Sequence, residues 1–527
     1  MSRPARVLLV GLAGLLLLGL VGRILTYPLQ ADEQFYLPPA LLLDRYELYR
    51  DLGFTHLPNL PLLLAALVQI TGSADVLMIG RLVVLASWAA VLAILYRTGR
   101  AEGAGLLAIA AATGFVLLDT NLLGEAGIAA TNNFVPVPFA VGGVACFLAA
   151  TRHKTRAPLL AASSGLLLAL AAGFKANYAP FIVPVALAAM IVPPEWSLRD
   201  RLVRLAAPML VGGVLGGLPT LLYLAADPAG VLASVFHAHR GPQVAYWLAN
   251  PDPADPKVMG MAGKLILARE LWLGGSALLM LLATAVLLLL IKEQEGGWRQ
   301  AVRRAGWKSG LMAVLIGTAA IVSFLPTPAF PQYYVLPLPF GALLLLVLHG
   351  RLAPPQRVQA RPVLAAALAL AVVNGAPSLL PSAAGIVQPS QWASSKLRND
   401  GRQLADVMQA AGAAGRVATL EPLTPLVVRN NIYPELALGP FVYRAADWIE
   451  PKHRRQYRHI ASPTTIGAVL GARPPAAVLV GGQGKLDDAL ADFARRNGYL
   501  PQEISVRSGG KVRTRTLYLP PASARGR

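Results

Sequence analysis

The sequence predicts an α-helical polytopic membrane protein of about 11 transmembrane helices, followed by a C-terminal α/β domain on the extracytoplasmic side. Three observations carry this. Of 527 residues, 55% are hydrophobic and only 14% are charged, with a mean hydropathy of +0.53; soluble domains carry about 25% charged residues. Apolar runs recur through residue 381. After about Gln388 charged residues return and no spanning run follows.

The net charge is +20 and the isoelectric point is near 10.3. In a soluble chain that balance would suggest nucleic acid. In a polytopic chain it matches the excess of Lys and Arg in cytoplasmic loops, and no nucleic-acid partner is expected. Anionic headgroups or a phosphorylated lipid substrate would add to the demand for cations. The one cysteine, Cys146, lies in an apolar run, which excludes a disulfide framework and a cysteine metal site.

The apolar segments fall at 7–27, 75–96, 104–119, 132–150, 157–174, 178–193, 203–225, 266–291, 309–326, 333–349 and 363–381. Met1 to Arg6 is basic, as in a signal peptide, but the run after it is too long for a signal's apolar core. It is read as an uncleaved anchor. Pro58 to Ile70 is apolar, short and proline-bounded, and reads as an interfacial or re-entrant helix. The domain division expected is 1–381 for the membrane part and 382–527 for the rest.

The first segment delivers Ala31-Asp32-Glu33-Gln34-Phe35-Tyr36 to a membrane boundary. Asp44, Glu47 and Asp51 follow, interleaved with Arg45, Tyr46, Tyr49 and Arg50, and then Phe54-Thr55-His56-Leu57-Pro58. Ionisable groups at such a boundary are costly to hold and mark functional sites; a solvated loop is the plainer alternative. Lys175, in Gly173-Phe174-Lys175-Ala176-Asn177, interrupts two apolar runs. It either snorkels or faces inward as a phosphate partner. Arg81, near the end of its helix, is an anchor or a ligand. In the 226–263 loop, His237, His239 and Arg240 suit phosphate, an H-x-H metal pair, or plain exposure; with no further ligands nearby the metal signal is weak.

In the C-terminal region, 417–420 and 476–482 read as buried strands, 485–497 as an amphipathic helix and 514–519 as a last strand. Gly481-Gly482-Gln483-Gly484 lacks the G-x-G-x-x-G spacing of a dinucleotide loop. The basic tail after Pro521 is expected to be disordered.

Together these residues resemble the GT-C glycosyltransferases that use lipid-linked sugars, such as the bacterial aminoarabinose transferase and the protein O-mannosyltransferases. Asp32-Glu33-x-x-Tyr36 is similar to that family's acidic motif after the first helix. Tyr49-Arg50-Asp51 with the Thr55 to Pro61 stretch, Gly80-Arg81-Leu82, and Pro331-Gln332-Tyr333-Tyr334-Val335-Leu336-Pro337 resemble its later signatures. There are departures: the proline pair is split as Pro58 and Pro61. The next outer loop offers Glu125, Asn132 and Asn133 where members often carry a second acid.

The resemblance implies transfer of a sugar from a polyprenyl phosphate to an envelope lipid such as lipid A, another glycan, or a protein. It places the reaction on the outer face of a bacterial inner membrane. Asp32 would be the base and Glu33 its orienting neighbour. Tyr36, Asp51, His56, Arg81, Glu125 and Asn132 would bind substrate, as would Lys175, His237, Arg240, Tyr333 and Tyr334. Cations would offset the charge on the departing phosphate, so no cofactor is required, and a divalent metal is neither required nor excluded. The competing class is a transporter or flippase of a lipid-linked or polar solute. Transporters carry ionisable groups at the membrane midplane and repeated halves; here the acids cluster in loops and no repeat is visible.

With the N-terminus inside, the loops assigned to the cytoplasm hold Arg97 and Arg100; Arg152, Lys154 and Arg156; Arg199, Arg201 and Arg204; Lys292 through Lys308; and Arg351, Arg357 and Arg361. The loops 119–133 and 326–331, assigned outside, hold no Lys or Arg, as the positive-inside rule requires. A reporter active only outside the cytoplasm should therefore work when fused after Arg398 and be silent after Arg156. The reverse pattern would overturn the orientation.

Overall fold

The structure is a computed structural model that describes residues 3–508 and 511–521; the tail after Pro521 lies outside them. Every expected apolar segment contains helix. Among the described residues, seven helices are long and apolar enough to cross a membrane: Val76–Ala101, Ala157–Phe174, Leu198–Ala226, Gly275–Glu295, Trp298–Ser323, Pro331–Arg351 and Pro354–Val387. The other four expected segments are shorter apolar helices, Val10–Thr26, Leu106–Leu117, Val137–Ala150 and Ala176–Ile191, so a count of 11 spans is not reached on length alone. The Pro58 to Ile70 stretch folds as the helix Asn59–Thr71.

One segment differs from expectation. The 266–291 run is two helices, Met261–Trp272 and Gly275–Glu295, broken where Gly274 and Gly275 adjoin. Gly275 has φ +50°, a left-handed conformation that interrupts the helix without a Cβ penalty.

The helices bury one face against each other and leave leucine and valine outward. Leu210, Leu215 and Leu222 on Ala207–Ala226 and Val373 on Pro354–Leu379 are exposed, as a lipid solvent permits and water does not. Ala207–Ala226 lies closely along Ala157–Phe174: a Cβ on Gly212 or Gly216 would collide with the backbone of Ala162 or Leu166. This is the small-residue approach that lets helices touch where lipid supplies no hydrophobic drive.

Ion pairs gather the basic loops at one end. Glu102 takes Lys308 at 3.0 Å and also Arg152, while Asp200 takes Lys154 and Arg204, each at 3.1 Å. The 31–58 loop, the 226–263 loop and the C-terminal region meet at the other end. His239 there contacts the Thr55 carbonyl at 2.8 Å, and Arg458 N–H donates to the Arg50 carbonyl at 2.7 Å.

The C-terminal region holds one sheet in the order β1-β2-β4-β3: β1 Val417–Thr419, β2 Ala477–Val480, β3 Leu500–Ser508 and β4 Lys511–Leu519. β1 and β2 are parallel, with Ala418 opposite Val478; the other pairings are antiparallel. Alternation sends Ala418, Val478 and Val480 toward Leu490 and Phe493 of the helix Asp488–Arg496. It sends Val417, Leu479 and Leu517 toward Leu404 and Met408 of Ala393–Ala410. The strand Leu500–Ser508 is not marked in the sequence, because its mixed polar residues carry little apolar alternation.

The first helix, Arg3–Thr26, and Val76–Ala101 are joined through one buried ion pair. Arg81 donates to both Glu33 oxygens at 2.7 Å, from Nε and Nη2, and its Nη1 donates to the Ile24 carbonyl at 2.8 Å. Both side chains are at most 2% exposed. Removing one partner from such a pair costs about 3–5 kcal/mol, whereas replacing both by apolar groups is often neutral or stabilising. Arg81→Met should therefore lower the thermal midpoint in detergent by that scale, and Arg81→Met with Glu33→Leu should recover much of it. An unchanged midpoint for the single variant would show that the pair does not hold the loop.

Candidate active site

The site starts from the geometry of Asp32 to Tyr36. Glu33–Tyr36 forms one helical turn directly after the first helix's exit, so successive side chains leave in different directions. Glu33 turns inward: its carboxylate receives Arg81, the Ala130 N–H at 2.8 Å and the Gln30 N–H at 2.9 Å. Those contacts occupy both oxygens, which makes Glu33 a fastener between the 24–33 and 130 backbones. Gln34 turns to the C-terminal region, where its Oε1 accepts from the Leu423 N–H at 3.0 Å. Phe35 stacks on Phe54 at 5.1 Å and meets Phe441 at 5.3 Å. Tyr36 bonds His56 Nε2 at 3.0 Å.

Asp32 is left facing a different set of groups. It is half-buried. It shares a hydrogen bond with Glu125, and Lys175 and Arg444 act on it electrostatically. Burial raises the Asp32 carboxyl above its usual range, and the two cations and the Glu125 bond oppose that rise. Glu125 is pushed up to about 8, by burial first and then by Asp32 and Glu33. Both carboxyl groups are thus pushed upward together, and at neutral pH the pair holds a proton between them.

The Lys175 ammonium is buried, donates to Asn133 Oδ1 at 2.6 Å and lies 5.0 Å from the Tyr333 ring. Burial brings it down to about 8, partly offset by Asp32. It does not snorkel to water: it points inward from the break after Ala157–Phe174. Asn132 donates to the Phe174 carbonyl at 3.3 Å and adjoins Tyr36. His56 is held well below its usual range by burial and by neighbouring His239, whose ring lies 4.9 Å away. Asp32, Tyr36, His56, Glu125, Asn132, Lys175 and Tyr333 thus form one cluster.

Four other expected residues lie apart from it. Asp51 accepts from the Glu47 N–H at 2.8 Å and pairs with Arg458 at 3.4 Å, joining the loop to the C-terminal region. Tyr334 is buried against Trp272, and its hydroxyl donates to the Lys264 carbonyl at 3.2 Å. His237 and Arg240 are exposed, and His237 stacks on His453 at 4.1 Å. His237 and His239 are on helix, where residues two apart point to nearly opposite sides, so the H-x-H pair does not converge. Among the described residues no three His, Cys, Asp or Glu side chains gather as a metal site.

Sequence reasoning did not single out Arg444. It follows the short helix Pro440–Tyr443, which is launched by Gly439 at φ +56°, a conformation suited to glycine. The available signal was an apolar, aromatic run, Pro440-Phe441-Val442-Tyr443, within an otherwise charged segment.

A multi-helix membrane part, an acidic cluster at one end and a C-terminal region that contacts it and carries a small sheet make up the fold. The chain is similar in structure to ArnT from Cupriavidus metallidurans. The superposition covers 100% of both chains, with TM-score 0.56 at 15% identity for ArnT bound to undecaprenyl phosphate. For the apo state the TM-score is 0.59 at 14% identity, again over 100% of both chains. No family model matches the chain, and no curated protein matches it in sequence.

The shared proton is directly measurable. At neutral pH the infrared spectrum should contain a carboxylic-acid C=O stretch that Glu125→Gln removes, and the band should fade as pH rises through about 8. Spectra of parent and variant that match at pH 7 would rule out a protonated Glu125.

Proposed function

We propose that this chain is a membrane glycosyltransferase that moves a sugar from a polyprenyl-phosphate carrier to an acceptor. The observation that supports it is the Asp32–Glu125 carboxyl pair with Lys175 beside it, in a fold shared over its length with ArnT. The relative bound to undecaprenyl phosphate supplies the carrier class. The acceptor would be an envelope lipid such as lipid A, another envelope glycan or a protein. The setting is the outer face of a bacterial inner membrane, with the N-terminus inside and the sheet-bearing region, from about 382, outside.

In this reading Asp32 takes the proton of the acceptor hydroxyl as the acceptor oxygen bonds the anomeric carbon. The bond from that carbon to the carrier phosphate oxygen breaks, and its electron pair leaves on the phosphate. General-base help of this kind contributes about 10²–10⁴-fold. The shared proton keeps the pair at a single negative charge, so a second anion beside the incoming phosphate is avoided. Lys175, positive below about 8, offsets the charge that gathers on the departing phosphate. Tyr36, Asn132, Asn133 and Tyr333 would orient the sugar. If the acceptor is itself an ionised phosphate, no proton moves and Asp32 positions the donor sugar instead.

Purified protein incubated with a polyprenyl-phosphate sugar and candidate acceptors should release free polyprenyl phosphate. Asp32→Asn should lower that release by about 10²-fold or more, with protein yield and detergent behaviour unchanged. A fully active Asp32→Asn protein giving the same product would overturn the assignment of Asp32. No release from the parent with any polyprenyl-phosphate sugar would overturn the donor class.

A further inference from the structure

Arg444 is a cation held among aromatic rings. Its guanidinium carbon lies 4.6 Å from the Trp247 ring, 4.7 Å from Phe441 and 5.5 Å from Tyr246. Among the described residues it has no salt bridge, and its buried Nε has no hydrogen-bond acceptor. The Trp247 Nε1–H beside it is also buried without an acceptor. The two arginines buried most completely each have a carboxylate partner: Arg81 takes Glu33 and Arg515 takes Glu421. Aromatic faces fix the plane of a guanidinium but leave its in-plane N–H groups free. Such a group, with a second orphan donor adjoining, is organised for an oxyanion that arrives from outside the chain.

The position says which oxyanion. Arg444 and Lys175 both act on Asp32, yet they reach it from different parts of the chain. Lys175 comes from the membrane end of Ala157–Phe174; Arg444 comes from the C-terminal region, and Trp247 from the 226–263 loop. We propose that Arg444, oriented by Trp247 and Phe441, is a ligand of the carrier phosphate, so that the C-terminal region supplies part of the substrate site. This rests on the polyprenyl-phosphate reading given above. It goes beyond that reading in assigning a binding residue to the segment after the last spanning helix.

The test reads binding, not turnover, on the full-length protein in detergent. Undecaprenyl phosphate is titrated against parent, Arg444→Gln and Arg444→Lys, with affinity followed by thermal stabilisation. The expected result is an affinity at least about tenfold weaker for Arg444→Gln, the scale of one lost charge-assisted hydrogen bond, with partial recovery in Arg444→Lys. Parent and Arg444→Gln of equal affinity would overturn the assignment of Arg444 while leaving the carrier intact. A parent that does not bind undecaprenyl phosphate would overturn both. A second measurement needs no variant. Bound undecaprenyl phosphate should protect Arg444 in the parent from an arginine-selective dicarbonyl reagent, read by peptide mass spectrometry. Equal labelling with and without the lipid, at concentrations where the lipid binds, would overturn the proposal.

Discussion

The buried pair of Glu33 and Arg81 is the constraint on which the site depends. Two desolvated charges are tolerable only if nearly all their hydrogen-bonding capacity is met. Here the guanidinium also holds the Ile24 carbonyl, and the carboxylate also holds the amides of Gln30 and Ala130. One ion pair therefore sets three stretches of backbone against each other: the exit of the first helix, the Val76–Ala101 helix and the 130 loop. Asp32 precedes Glu33 and Asn132 follows Ala130 by two, so the direction of both is fixed by the same contact. A fastener of this kind supplies geometry more than stability.

Around that fixed frame the electrostatics is arranged in opposition. Two carboxyl groups in one desolvated place cannot both ionise. The pair holds a proton between its members, and Lys175 and Arg444 both act on Asp32. The result is an acidic pair with two cations acting on it, and Tyr36, His56 and Tyr333 belong to the same cluster. Burial, with Lys175 nearby, lowers both His56 and His239, and His239 lowers His56 further, so a further positive charge is disfavoured there. They act in this frame as hydrogen-bonding rings.

The parts legible in the sequence were those where a charge interrupts an apolar context. Asp32 and Glu33 stand out because they follow directly on an apolar segment, and Lys175 because it interrupts two of them. Helices were legible from length and hydropathy, and the basic loops from their sign. The break at Gly274 was not, since glycine barely alters an averaged hydropathy while changing the backbone completely. Arg444 was hidden for the opposite reason to Lys175: it lies in a region where arginine is common, and only tertiary packing against Trp247 separates it from its neighbours. The H-x-H pattern does not say which ring turns inward; only the fold sets His239 against the Thr55 carbonyl and leaves His237 exposed. The choice between snorkelling and inward-facing Lys175 needed the position of Asn133, which no local pattern supplies.

The Gln34 contact to Leu423 has a consequence for how the molecule comes into being. The acidic turn is complete when little more than the first helix has been synthesised. The backbone that seats Gln34, the ring that meets Phe35 and the guanidinium beside Asp32 all belong to residues made some four hundred positions later. Chains emerge from the ribosome N-terminus first. Through most of its synthesis the nascent protein carries its acidic turn uncovered, and the residues that contact that turn from the C-terminal region arrive only with its final quarter. A truncated product would hold the acids but not the contacts that Leu423 and Phe441 make with Gln34 and Phe35.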